Sequence, residues 1–351
     1  MKKPYGKGIL VMAETYIAWA NDRRILKSSA SGGVFQALAK YFLSGSSPGE
    51  KRTVYGAWQD NIQFAVKHLG VEKTKDVDLL IGSKYYQSEM QGIYSEIRYK
   101  LQDNQIILFS GTPCQVAGLK SYLEVFGVND SKQLLTIEVL CHGVSSRKVL
   151  LRYKAYLENK SDKKVRDIHF RTKLRRWYDK GSSMEICYDD GFVKVVDRHT
   201  DPFYLAFNHS MSLRPSCYSC PFAKIDRAAD ITLGDFWGAE NYIRDKQKLC
   251  DGIGLVMVNS DTGREFWEQV QDIITAEQID IAKAIPRNGA IIKPTVRPIS
   301  REKFFDGLDK YDFDKLIELC FGRNKLLKIR IKGFIGEERI KKTKTLAHRT
   351  T

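Results

Sequence analysis

The sequence predicts a mixed α/β fold: a parallel strand–helix–strand core with an antiparallel hairpin insertion and a basic C-terminal tail. Two short apolar runs, Gln105 to Phe109 and Leu134 to Leu140, are each followed by a helix-patterned segment, an order that implies parallel strands joined by a crossover helix. Beyond residue 160 the pattern turns antiparallel, with Asp189-Asp190-Gly191 as a hairpin signal between two strand runs. The chain has 351 residues, 43% hydrophobic and 28% charged, enough for one large core or two moderate ones, which excludes a fibre, a coiled coil and a disordered chain.

The elements follow in order. Tyr16 to Lys27 reads as a strand and a turn, after which Ser28-Ser29-Ala30-Ser31-Gly32-Gly33 breaks the pattern. Val34, Phe35, Leu38, Ala39 and Phe42 then recur at helical spacing up to Gly45. Strands are expected at Thr53 to Trp58, Gln63 to His68 and Val77 to Ile81, before a helix with Met90, Ile93, Ile97 and Leu101 on one face. Ser110-Gly111-Thr112-Pro113-Cys114 turns the first core strand into a helix bearing Val116, Leu119, Leu123 and Phe126. The second core strand ends at Cys141-His142-Gly143, ahead of a helix from Arg147 to Leu157. Val165 to Arg171, Met184 to Tyr188 and Phe192 to Val196 form the antiparallel set, and a Cys-rich loop, Leu213 to Phe222, leads into a strand at Ile231 to Leu233. Gly254 to Val258 reads as a strand and Asp261 to Ile274 as a helix capped by Ser260 or Asp261.

Lys plus Arg exceed Asp plus Glu by 15, but ten of the cations and only two of the acids fall between Arg323 and Thr351. Charge concentrated in a tail argues for a solvated end rather than a nucleic-acid surface. The other reading of the tail is a peripheral helix on anionic lipid, with Leu326, Leu327, Ile329, Ile331, Phe334 and Ile335 inward. The apolar stretch Gly8 to Met12 is too short for a secretory leader, and no run approaches the roughly 18 apolar residues of a spanning helix. A cytoplasmic protein is expected, with the tail as its one route to the inner membrane face.

Seven cysteines without a leader argue against a disulfide framework and for metal or redox use. In an open parallel sheet the ligand crevice lies at the carboxyl ends of the strands, where Cys114 and Cys141 fall. Cys217-Tyr218-Ser219-Cys220 adds a CxxC, whose thiols suit zinc, an iron–sulfur cluster or a redox dithiol; together the four could form a Cys₄ site. Cys187, Cys250 and Cys320 stand alone and read as small buried hydrophobes. Ser31-Gly32-Gly33 at a helix start could cradle a phosphate or merely cap the helix. Lys84, in Gly82-Ser83-Lys84-Tyr85, is a candidate phosphate or flavin contact, and Asp235 offers a carboxylate between glycines or sits in a structural turn. His142 either tunes the neighbouring centre or is a satisfied structural histidine. Lys173, Arg175 and Arg176 form a basic cluster, for an anionic substrate or simply solvated.

Taken in series, Ser31-Gly32-Gly33-Val34-Phe35, Gly82-Ser83-Lys84-Tyr85, Ser110 to Gln115, Cys141-His142-Gly143 and the run from Arg214 through Cys217, Cys220-Pro221-Phe222, Arg227 and Ala229-Asp230-Ile231-Thr232 to Gly234-Asp235-Phe236-Trp237-Gly238 resemble the coenzyme F420 hydrogenase/dehydrogenase β-subunit family. That family is in turn similar to plant hydroxymethyl-chlorophyll reductase. The resemblance spans roughly residues 16 to 270. It implies an oxidoreductase in which a [4Fe-4S] cluster passes single electrons to FAD, which reduces an organic acceptor, coenzyme F420 being one candidate. Cys114, Cys141, Cys217 and Cys220 would be cluster ligands; Ser31, Gly32, Gly33, Lys84, Thr112 and Asp235 would bind the cofactor; Cys114 and His142 would be catalytic. Many members carry a ferredoxin-like domain ahead of the Ser-Gly-Gly segment, where this sequence has about 27 residues and no cysteine. A separate ferredoxin or partner subunit is therefore expected to deliver electrons, with the positive tail suited to docking it. Short members accompany cell-surface polysaccharide functions, which implies a sugar-linked or other small anionic organic acceptor. The regions expected are a flavin-binding part at 14–95, an iron–sulfur part at 96–270, a helical extension at 271–322 and the tail at 323–351. The competing readings are a transferase of polysaccharide assembly with Cys114 as nucleophile, and a zinc-stabilised binding protein using Cys217 and Cys220.

Overall fold

The computed structural model describes residues 13–45, 49–128, 132–173 and 183–331. The main sheet takes β1 (Glu14–Ala20), β2 (Arg52–Asp60), β3 (Ala65–Val71), β4 (Ser88–Glu89), β5 (Ile106–Gly111) and β6 (Leu134–Val139) from the first part of the chain. After β7 (Val165–Thr172), β8 (Ser183–Tyr188) and β9 (Val193–Asp197), which form a separate three-stranded antiparallel sheet, it is completed by β10 (Ile231–Asp235), β11 (Gly254–Val258) and β12 (Ile274–Ile279). Its order is β12-β1-β11-β10-β6-β5-β2-β3-β4, so strands from residues 14–95 and from later segments share one sheet.

At its centre β10, β6, β5 and β2 run parallel, and the remaining main-sheet pairings are antiparallel except β3 with β4. The central strands are mostly apolar because both faces are covered, with Thr136, Glu138 and Thr232 among the buried polar exceptions. Val54 and Leu108 face α2 (Val34–Ser44), while the alternating Tyr55, Ile107 and Phe109 face α3 (Ile93–Gln102) and α4 (Pro113–Val125). The small sheet packs with α5 (Arg147–Ser161), α6 (Pro202–Asn208), α9 (Ser300–Gly307) and α10 (Phe313–Phe321) around Tyr153, Phe170, Phe203 and Phe313.

Three local expectations are corrected. Residues after Asp22 form a short helix, α1 (Arg23–Ser28), because the Asp22 carboxylate accepts the Arg24 amide at 2.7 Å and caps a turn the apolar pattern does not signal. The strand expected at Val77 to Ile81 is instead a 3₁₀ turn, Thr74–Leu79. Val77 and Leu80, three residues apart, point inward, while Asp78 is held outside by Gln36 and Lys40, each at 2.8 Å. The helix expected to reach Ile274 ends at Gln269 (α8, Asp261–Gln269), and Ile274 opens β12 opposite Ala20 on β1. A further short helix, α7 (Lys246–Asp251), precedes β11.

Residues 323–331 are helical; Leu326 is buried and Ile329 packs on the core beside it, whereas Leu327 and Ile331 are exposed. Phe334, Ile335 and the rest of the tail, like Arg175 and Arg176, lie outside the described residues. Among the described residues no helix is long and apolar enough to cross a membrane.

Candidate functional site

The parallel strands deliver their carboxyl ends to one edge of the sheet, and a cavity of about 740 Å³ opens there. Ser31, Gly32, Gly33, Lys84, Thr112, Cys114, Cys141, His142, Cys217, Cys220 and Asp235 all line it. The structure thus brings the ligand, cofactor-contact and catalytic candidates of the sequence to one chamber.

Cys114 follows β5 in the first turn of α4, where Pro113 starts the helix and the Gln115 side chain accepts the Thr112 amide at 2.8 Å. The Thr112 hydroxyl lies 3.1 Å from the Cys114 Sγ. Cys141 follows β6, and its neighbour Leu140 still donates to Leu233 of β10 at 2.7 Å, so the β6 and β10 exits stay together. Cys217 sits in a 3₁₀ turn, Pro215–Ser219, tied back to the Cys141 loop by the Arg214 amide on the Val144 carbonyl at 3.0 Å. Gly143 makes this approach feasible. Its φ is +133°, and an added Cβ would stand 2.7 Å from Leu213 Cδ1 and 3.3 Å from Cys217 Cβ.

Burial pushes the Cys141 thiol up to about 12, and the charges of Cys217, Cys114 and Cys220 push in the same direction. Burial raises Cys217 as well, with Cys114 and Cys220 adding to it. Cys141 thus lies within electrostatic reach of the other three sulfurs, and Cys217 of Cys114 and Cys220. Among the described residues, however, no three His, Cys, Asp or Glu side chains adopt the spacing that one metal ion takes.

His142 is held through both ring nitrogens, Nε2 at 3.1 Å from Ser210 Oγ and Nδ1 at 3.4 Å from Thr295 Oγ1, and burial lowers its pKa. This is the bonding pattern of a structurally satisfied histidine. Lys84 donates to the Leu80 and Ile81 carbonyls at 3.1 and 2.6 Å, and desolvation draws its ammonium down to about 7. The Ser31 hydroxyl donates to the Ile253 carbonyl at 3.2 Å, and Gly33 starts α2 at φ +76° with no side-chain cap.

Asp235 faces a protein partner: Arg171 grips it bidentately at 2.6 and 2.8 Å and also donates to the Ala30 carbonyl at 3.2 Å. Lys173 donates to the carbonyls of Ser31, Leu26 and Asp251, fixing the loop before α2, and burial lowers its pKa to about 8. Sequence reasoning missed Arg171, Arg198 and His68. His68 bonds the Ser110 carbonyl through Nε2 at 3.0 Å and stacks on Phe109, and burial keeps it neutral down to about 4. Lys84, Arg171, Arg198 and Arg214 line the cavity against the single carboxylate of Asp235, so its lining carries a surplus of basic groups.

A search of curated proteins finds no match. Among solved structures, the chain is similar to a chain of the F420-reducing [NiFe] hydrogenase complex from Methanosarcina barkeri, at 19% identity and a TM-score of 0.52, covering 89% of this chain and 94% of that one. The fold is thus shared at low identity. The family model for the C-terminal part of the coenzyme F420 hydrogenase/dehydrogenase β-subunit matches residues 104–283, just over half the sequence, and these carry all four cavity cysteines. The chain belongs to the coenzyme F420 hydrogenase/dehydrogenase β-subunit family, a family of oxidoreductases.

Proposed function

We propose that this protein is an iron–sulfur flavoprotein that takes electrons from an external ferredoxin or partner subunit and delivers them to an anionic organic acceptor. One observation carries the reading: Cys114, Cys141, Cys217 and Cys220, from three separate loops, line the same chamber as the Ser31-Gly32-Gly33 helix start. The donor set fits a [4Fe-4S] cluster, in which each of four irons takes one thiolate, so its ligands stand further apart than those around a single ion. The chamber fits FAD through its surplus of cations and through the N-terminus of α2, whose unbonded amides suit phosphate. When bound, these groups would exchange single electrons for the paired electrons of organic reduction.

The chain's own residues supply placement. Thr112, beside Cys114, and the Arg214–Val144 tie set the sulfur positions; Lys173 holds the Ser31 loop; Asp235 orients Arg171. Arg198, whose Nε has no hydrogen-bond partner among the described residues, is left to face an anion in the chamber, and Lys84 adds its remaining N–H while it stays protonated. Coenzyme F420 is the first acceptor to test, since the hydrogenase complex containing the similar fold is F420-reducing. A sugar-linked acceptor would place the protein in cell-surface polysaccharide metabolism.

Protein purified without oxygen is expected to be yellow-brown, with about four irons and four sulfides per chain and one FAD. Cys141→Ala should lose most of the iron. Zinc in place of iron would overturn the proposal in favour of a structural metal site, and colourless protein would favour transferase chemistry at Cys114. Gly143→Ala provides a subtler check. Moving the Cys217 turn and straining the backbone should cost about 1–3 kcal/mol and lower iron content while FAD remains, read by metal analysis and urea denaturation.

A further inference from the structure

The segment between residues 292 and 299 borders the cysteine loops and has no regular secondary structure. It is tied down beside them. Thr295 Oγ1 donates to the His142 carbonyl at 2.8 Å, and Arg301 donates to the Leu213 carbonyl, four residues before Cys217, at 3.1 and 3.2 Å. Pro294 and Thr295 help form the cavity wall. From this anchored strap three branched aliphatic side chains project into solvent: Ile292 at 42%, Val296 at 78% and Ile299 at 98% exposure. Isolated exposed aliphatics are ordinary, but three within eight residues at the rim of a redox chamber mark a contact surface.

The surrounding charge identifies the partner. Between residues 281 and 303 the chain carries Lys283, Arg287, Lys293, Arg297, Arg301 and Lys303 against one acid, Glu302; Glu302 pairs with Arg297 and Glu240 with Arg287, which leaves Lys283, Lys293, Arg301 and Lys303 as the surplus of positive charge. An apolar centre in a cationic rim is the complement of an acidic protein with an apolar patch. We propose that this strap is the docking surface for an acidic one-electron carrier protein of the ferredoxin class, resting on the reading of the four cysteines as cluster ligands. Electron transfer through protein weakens steeply with distance, so a carrier must bind where its centre comes close to the cysteines, and the strap is fastened to two of their loops. Each docking delivers one electron as the carrier's reduced cluster is oxidised. Two dockings and two protons from solvent account for a two-electron reduction of the flavin.

The test uses the full-length, cofactor-loaded protein, with a reduced acidic bacterial ferredoxin as the probe and dithionite as a small reductant that needs no docking. Val296→Asp with Ile299→Asp, and separately Lys293→Glu with Lys303→Glu, should weaken direct ferredoxin binding, measured by calorimetric titration, and slow flavin reduction by ferredoxin, each about tenfold or more, with dithionite reduction and melting temperature unchanged. Raising the salt from about 50 to about 300 mM should slow the wild-type reaction with ferredoxin and leave the dithionite reaction alone. Wild-type rates in both variants would overturn the docking surface while leaving the cofactor reading intact. Loss of binding to anionic phospholipid vesicles with unchanged ferredoxin rates would also overturn it, in favour of a membrane contact. Wild-type protein without iron or flavin would instead overturn the cofactor reading, and the docking proposal with it.

Discussion

Replacing Arg227 with methionine is expected to destabilise the protein by about 3–5 kcal/mol, the cost of stranding a buried charge. Arg227 pairs with Glu138 in the central strand β6, and their side chains are 1% and 0% exposed. Glu138 Oε1 also accepts from the Thr232 hydroxyl at 3.0 Å, while Oε2 has no hydrogen-bond partner. Without the guanidinium, the carboxylate would keep a single hydroxyl in a sealed interior. Arg227 further donates to the Lys224 and Phe222 carbonyls at 3.0 and 3.3 Å, so it also moors the chain just after Cys220. Urea denaturation of Arg227→Met, Glu138→Gln and the double variant measures the coupling. The double variant should recover much of the loss, because removing the charge removes its desolvation cost. A double variant no better than Arg227→Met would mean that the carbonyl contacts, rather than the ion pair, carry the effect.

Gly32→Ala should be the most damaging substitution of a single methyl at the chamber, costing about 3 kcal/mol, the upper end for overpacking. The added Cβ would lie 2.6 Å from the Ala18 carbonyl oxygen and 2.8 Å from the Gly254 amide. Both atoms are backbone of paired strands, β1 and β11, so no rotamer change relieves the contact. The Gly32 carbonyl accepts the Ala20 amide at 2.7 Å, so the loop would have to lift away from the sheet edge. Urea denaturation should show the loss, with a parallel fall in FAD content. Gly289→Ala is the control, since its Cβ would meet nothing within 4 Å, and it should be near neutral.

The parallel core was readable because its strands are short, mostly apolar runs punctuated by Gly or Pro, and the hairpin insertion because Asp-Gly separates two strand-patterned runs. The chamber was readable for a related reason: chemistry-bearing residues follow the carboxyl ends of strands, and parallel pairing brings those ends together. What remained hidden depended on tertiary partners. Nothing local signals that Asp235 is claimed by Arg171, 64 residues earlier, or that residues 274–279 complete the sheet beside β1. The 3₁₀ turn at residues 74–79 likewise depends on Asp78 meeting Gln36 and Lys40 of α2, a contact absent from the local pattern. Arg171 could have been suspected from the basic cluster at Lys173, Arg175 and Arg176, but its role comes from its position at the end of β7, where the small sheet meets the chamber.

The position of β1 bears on how the chain is made. It is inserted between β11 and β12, so the first described strand finds its neighbours only after the ribosome has synthesised roughly 250 more residues, on the order of 10–50 s at ordinary elongation speeds. Until then its two sticky flanks wait unprotected beside the nascent polypeptide. Shielding of those two flanks until β11 and β12 emerge would decide between a productive molecule and an aggregate.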